Sequence, residues 1–309
     1  MKTKNKICRN KKAEFNMVIA IVISLVVIVL VSFILYNFYL SMKSKLEVQS
    51  CHDSVAAHSA IAVGSSRDYF TDIKCPTKTI TVDNTNQLTA EKAMAEDMHK
   101  CWYEWQQGNA QLFKGDGVFC HVCSVYTFKD KSTALNGFAQ YLAKQPIAIS
   151  YPGDTPGISY IDYLKGYKTK NTDLVNNAEM QKLVNGDAIA TSQDYASIFV
   201  YASGKEGIQK TLEGSRGGLA TVSSLAIFGG ITSGGIALGA IAIGSNPVGW
   251  IIGSAGLVTI GTIGLYNALF NTENPEWVSF IVFKPYTNQE LQNIGCEQLP
   301  VNQQSASKP

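Results

Sequence analysis

The chain has 309 residues, a formal net charge of +2 and only 16% charged side chains. Six basic residues against Glu14 give the first sixteen positions +5, which leaves −3 for everything after them. So near-neutral a body has no basic stripe for nucleic acid, and the basic arm is the flank expected before a membrane helix.

Taken in chain order, the first predicted element is the run Met17–Leu40, which contains no charge, Gly or Pro. About 20 apolar helical residues cross a hydrocarbon core, so this run spans a bilayer. It exceeds the 7–15 residues of a secretory signal core, and no small-x-small cleavage pattern follows it, which favours an uncleaved anchor over residues 17–41. The basic residues lie before it, so residues 1–16 belong in the cytoplasm and residue 42 onward outside. Ser44–Ala62 keeps helical composition and reads as a stalk continuing the anchor, ended by Gly64-Ser65-Ser66.

The expected ectodomain covers residues 42–216. Thr79–Val82 alternates like a strand after Cys75-Pro76. Thr89–Gln107 reads as a helix, with Ala93, Met94, Met98, Trp102 and Trp105 at helical spacing and Gly108 as its stop. Val118–Phe128 reads as a strand, with Val118, Cys120 and Val122 on one face and Phe119, His121, Cys123 and Val125 on the other. Ser132 is placed to cap a helix running to Lys144. Pro146, Pro152, Gly153, Pro156 and Gly157 mark turns among clustered tyrosines, and a short helix is expected over Asp173–Val184. Tyr195–Ala202 and Glu276–Tyr286 read as strands. They bracket an apolar window, so that window leaves the domain and comes back.

The window Gly217–Thr272 holds no Asp, Glu, Lys, Arg or His and breaks once, at Gly244-Ser245-Asn246-Pro247. Each arm is long enough to cross a membrane, and Pro247 permits the reversal, so a Gly-rich helical hairpin is expected over 217–272. Gly230, Gly234, Gly235, Gly239, Gly249 and Gly253 fall in four-residue pairs that give helices a bare face for close packing. The arms pack on each other, on the anchor, or on second copies of the chain. Residues 273–309 form the last strand and a returning tail.

The cysteines follow this topology. Cys8 lies in the basic arm, while Cys51, Cys75, Cys101, Cys120, Cys123 and Cys296 all fall outside the cytosol. An even set outside the reducing compartment reads as three disulfides, with fifteen pairings open. Cys120-His121-Val122-Cys123 also has a zinc-like spacing and a redox-like one. It lacks a second ligand pair and sits on a strand rather than at a helix start, where thiolates are stabilised. Cys101-Trp102-Tyr103-Glu104-Trp105 reads as core packing around a disulfide. His52, His58, His99 and His121 show no triad or metal spacing, and no phosphate loop or nucleophile elbow occurs. No cofactor, metal or catalytic residue is expected.

The frame from Cys75-Pro76 through Cys101-Trp102 and Cys120-x-x-Cys123-Ser124 to Phe128 is similar to a group of uncharacterised archaeal membrane-anchored proteins. That resemblance implies surface exposure and disulfides, and brings no activity. Asn10-Lys11-Lys12-Ala13-Glu14-Phe15 resembles the leader of archaeal pilin-like proteins, without their usual Gly.

The fold expected is a disulfide-stapled α+β ectodomain, a small mixed sheet with helices, plus one N-terminal anchor and one Gly-rich C-terminal hairpin. The function expected is a non-catalytic cell-envelope protein that binds or scaffolds partners. A pore- or fusion-type assembly oligomerising through the hairpin is the alternative. A pilin-like filament subunit or envelope enzyme ranks third. The partners expected are the lipid bilayer, an unidentified envelope protein and further copies of the chain, but not nucleic acid.

Overall fold

The computed structural model describes residues 10–62, 73–113, 115–164, 188–208, 210–211, 224–228, 240–244, 250–253, 256–258 and 277–296. The chain forms two units, Met1–Gln49 and Ser50–Pro309.

Helix α1 runs unbroken from Asn10 to Ala62. Ile19–Tyr39 is the one described helix segment long and apolar enough to cross a membrane, and all of its side chains are exposed, Val29 and Phe33 to 66%. Water does not tolerate such a run of bare Ile, Val, Leu and Phe, but a bilayer does. In the second unit the last turns of α1 change character: Cys51, Val55 and His58 are buried.

The second unit is an α+β domain built on a mixed four-stranded sheet. Its strands are β1 (Lys78–Val82), β2 (Gly117–Phe128), β5 (Tyr195–Ser203) and β10 (Trp277–Pro285). They lie in the order β1-β2-β5-β10, with β1 parallel to β2 and the other pairs antiparallel. Every residue of β5 and β10 is buried. That is the signature of a sheet covered on both faces.

On one face Phe119, Tyr126, Phe199, Tyr201, Ile281 and Phe283 join the main core. The helices there are α2 (Gln87–Glu104), α3 (Phe138–Lys144) and α4 (Tyr160–Leu164). On the other face Val118, Cys120, Ile198, Val200, Phe280 and Val282 pack with Ile208 and with Leu291 and Ile294 of α5 (Asn288–Ile294).

β2 carries a bulge between Val122 and Ser124, where Cys123 is the extra residue. The bulge corrects the expected face of Val125: it lies against the second core, while Tyr126 takes the first. One inserted residue resets a two-residue period and re-aims the side chain at the insertion.

Three predicted helix boundaries also change. α2 starts at Gln87, not Thr89, because the Asn86 side chain accepts from Thr89 N. It ends at Glu104, followed by a 3-10 turn over Gln106–Gly108. Ser132 caps no helix; it donates to Asp130, and the chain first makes β3 (Ala134–Asn136), paired with β4 (Ala188–Ala190), before α3 begins.

β5 and β10 pair from Trp277 opposite Ser203 to Pro285 opposite Tyr195, so the chain leaves and re-enters the sheet at adjacent positions around the apolar window. The helical hairpin expected over 217–272 lies for most of its length outside the described residues, as do Asp173–Val184 and the tail Gln303–Pro309. The described pieces of the window are short and extended: β6 (Ser224–Phe228), β7 (Ala240–Gly244), β8 (Trp250–Gly253) and β9 (Gly256–Val258), antiparallel in succession from β10.

Candidate functional site

The six cysteines from Cys51 onward pair as Cys51–Cys75, Cys101–Cys123 and Cys120–Cys296. The first ties α1 to the segment before β1. The second ties α2 to the bulge of β2, and the third ties β2 to the segment after α5. Cys120 and Cys123 face opposite sides of the sheet and take different partners. The Cys-x-x-Cys spacing is therefore structural rather than a metal or redox pair. Together with the apolar helix, the disulfides suggest a secreted or membrane-anchored extracytoplasmic domain. Of the helix-packing glycines, Gly230, Gly234, Gly235, Gly239 and Gly249 lie outside the described residues, and Gly253 closes β8 opposite Gly256. Among the described residues no cluster of His, Cys, Asp and Glu has the geometry of a metal site.

The structure gathers a polar and aromatic centre that no spacing announces. His99 on α2 donates through Nε2 to Asp154 Oδ2 at 3.0 Å, and both side chains are buried, at 0% and 1% exposure. Asp154 lies in the loop between α3 and α4 and also accepts from Tyr151 N at 2.6 Å. Around the pair, His52 stacks on Tyr103 at 4.3 Å and Tyr103 stacks on Tyr151 at 4.4 Å. His99 meets Tyr151 at 5.1 Å and the edge of Tyr163 at 4.4 Å. The Nδ1 of His99 is buried without a hydrogen-bond partner among the described residues. Such an atom costs about 1–3 kcal/mol and is uncommon in native proteins.

Backbone strain adjoins this centre. Gln106 and Gln107 have φ of 56° and 54°, followed by Gly108 at 70°. Two non-glycine residues in left-handed geometry cost of the order of 1–3 kcal/mol each and persist only when neighbours hold them. Here Gln106 Nε2 donates to His52 O at 2.9 Å, and Gln107 Nε2 donates to the Tyr163 hydroxyl at 3.0 Å. Ser279 Oγ donates to Gly108 O at 3.1 Å.

Beside the centre, burial pushes Glu104 up to about 7, with Lys100 Nζ 3.8 Å away only partly opposing it. Burial also lowers Lys100 and raises Tyr151 and Tyr163, the neighbouring carboxylates adding to both tyrosines. Deeper in, Asp97 accepts from Tyr126 at 2.6 Å and from Ser197 at 3.4 Å, fastening α2 to the sheet.

His99 is partnered by a carboxylate and by phenol rings. No serine, threonine or free thiol among the described residues bonds to it, so the arrangement lacks the nucleophile of a catalytic triad. The centre brings together an imidazole donor, stacked rings and amide donors held in a strained turn. The sequence carried Cys101-Trp102-Tyr103 as core packing, and Trp102 and Trp105 are indeed fully buried. The His99–Asp154 contact joins residues 55 apart in sequence and left no local signal. Comparison with protein-family models, with characterised protein sequences and with solved structures finds no match for this chain.

Proposed function

We propose that this chain is a non-catalytic cell-envelope protein, anchored by α1 with its N-terminus in the cytoplasm, whose disulfide-bonded ectodomain binds or scaffolds partner proteins. The observation that carries the reading is α1 itself. One helix holds both the exposed apolar segment Ile19–Tyr39 and Cys51, which is disulfide-bonded to Cys75. A bilayer and an oxidising compartment are the two environments those features need. The basic arm sets the direction. Labelling intact cells with an impermeant maleimide tests it: an engineered Ser305→Cys reacts and native Cys8 does not. Reaction at Cys8 reverses the assignment.

A second reading, a membrane-active assembly, is favoured by the charge-free window between adjacent strands β5 and β10. Off the bilayer its described pieces are extended. Within hydrocarbon a backbone must satisfy its hydrogen bonds internally, as a helical hairpin does. With no charge between Gly217 and Thr272, entry avoids the roughly 2.5–3.5 kcal/mol that each buried charge costs on insertion scales. Gly234 and Gly239 then supply the close helix contact, between arms or between copies. Gly234→Leu abolishes crosslinked higher bands if copies associate there. A chain that is monomeric throughout and releases no dye from liposomes leaves the scaffold reading alone.

A further inference from the structure

The loop between α3 and α4 is closed at its neck by backbone pairing. Ile147 N donates to Ile158 O at 3.0 Å, Tyr160 N donates to Gln145 O at 3.3 Å, and Pro146 bridges Ser159. Beyond the neck Ala148, Ile149, Ser150, Pro152, Gly153, Pro156 and Gly157 are all exposed. Two side chains hold the loop to α2: Tyr151, stacked on Tyr103, and Asp154, on His99. These two bring a phenol ring and a carboxylate, three residues apart, onto a floor of His99, Tyr103 and Tyr163. That floor is held from below by Gln107 in its strained turn. The imidazole still has a buried nitrogen, Nδ1, that the loop leaves without a partner.

We propose that this loop is a flap and that Tyr151 and Asp154 occupy, as an internal stand-in, a binding site for an aromatic carboxylate. The occupant's ring replaces Tyr151 against Tyr103 at stacking distance, and its carboxylate replaces Asp154 on His99 Nε2. Asp154 also bonds the Tyr163 hydroxyl, and Ala148 N donates to the Tyr160 hydroxyl at 3.3 Å; a ligand whose ring and carboxylate replace Tyr151 and Asp154 on α2 and on Tyr163 displaces the loop without unfolding the neck. The flap then sets the apparent affinity, because only the open fraction binds. The proposal deepens the binding role given to the ectodomain but does not rest on the anchor or its orientation. Failure of the labelling experiment leaves it standing, and its own failure leaves the tether standing.

The test uses the full chain in detergent and 4-hydroxyphenylacetate as the probe, with tyramine, which carries an amine in place of the carboxylate, as the control. Titration calorimetry of the Tyr151→Ala/Asp154→Asn double variant is expected to show at least ten-fold tighter binding of the probe than the unaltered chain. Adding His99→Gln to that variant is expected to remove binding, and tyramine is expected not to bind. Equal affinity with and without the flap contacts, binding that survives His99→Gln, or tyramine binding as well as the probe each overturn the site. If the double variant does not fold, amide exchange in the unaltered chain decides instead. Saturating probe is expected to speed exchange across Ala148–Gly157 and leave β2 and β5 unchanged; exchange that does not change overturns the flap.

Discussion

Glu104 shows what burial does to a single group. Its carboxyl titrates near 7, against an ordinary value of about 4.3, because desolvation penalises the charged form more than Lys100 offsets it. The folded state therefore holds a proton that the unfolded chain releases between about pH 4.5 and 7. Stability falls as pH rises through that window and levels off above it, by at most about 3 kcal/mol. Glu104→Gln is expected to flatten that slope, read from denaturant midpoints at pH 4.5 and 7.5; the same slope in the variant refutes it. His121 works in the other direction. Full burial against Trp105 lowers it to about 3, so it stays neutral in the fold while the unfolded chain takes up a proton below about 6.5. Stability is lost as pH drops from 6.5 toward 3, and His121→Phe, which keeps a ring beside Trp105, is expected to resist acid better than the native chain. Neither shift is legible in the sequence. A glutamate at the end of a helix and a histidine between two cysteines look solvated until the fold covers them.

At the scale of elements, the central strands were legible and several helix ends were not. The strands β2, β5 and β10 were visible, because a strand buried on both faces is rich in Val, Ile, Phe and Tyr whichever neighbour it meets. α5 went unread although Thr287-Asn288-Gln289-Glu290 has the form of a capping box; Thr287 Oγ1 accepts from Glu290 N, and Gly295 closes the helix at φ 84°. Thr287→Ala is expected to cost about 1 kcal/mol by chemical denaturation, and no change refutes the cap. The stop after α2 is more exacting. The sequence marks Gly108 only as a helix stop, but its φ is +70°, and a Cβ there would collide with Ser279 Oγ and Trp102. Gly108→Ala is expected to destabilise by 2 kcal/mol or more, since it adds overpacking to a left-handed backbone. A loss under 0.5 kcal/mol shows that the turn relaxes. Ser132 misled because its hydroxyl serves Asp130, a choice made by the turn between β2 and β3 and not by the helix that follows.

For the molecule as a whole, the disulfides decide how distant parts are held. Cys120–Cys296 closes a span of 176 residues around the entire apolar window, and the chain-entropy model assigns such a loop about 5 kcal/mol, against about 3–4 for the 24-residue span of Cys51–Cys75. Intact-mass analysis after alkylation without reductant is expected to find one reactive thiol of seven, Cys8. Three or more reactive thiols refute the pairing. Cys296→Ser is expected to lower stability by several kcal/mol in denaturant titrations, because the unfolded chain then loses its longest covalent loop; an unchanged midpoint refutes it.

The sequence by itself determined placement: an apolar run without a charge cannot dissolve in water, and an even set of cysteines beyond it belongs in an oxidising space. It also marked the two strands that flank the window, because Tyr195–Ala202 and Glu276–Tyr286 are rich in the apolar and aromatic residues of a buried sheet. Only the tertiary structure decided which cysteines meet, since alternation places Cys120 and Cys123 on opposite faces but does not say which element covers each face. Only the tertiary structure brought His99, Tyr151, Asp154 and Gln107 together, because burial and hydrogen bonding between segments 50 residues apart arise from packing and leave no periodicity along the chain.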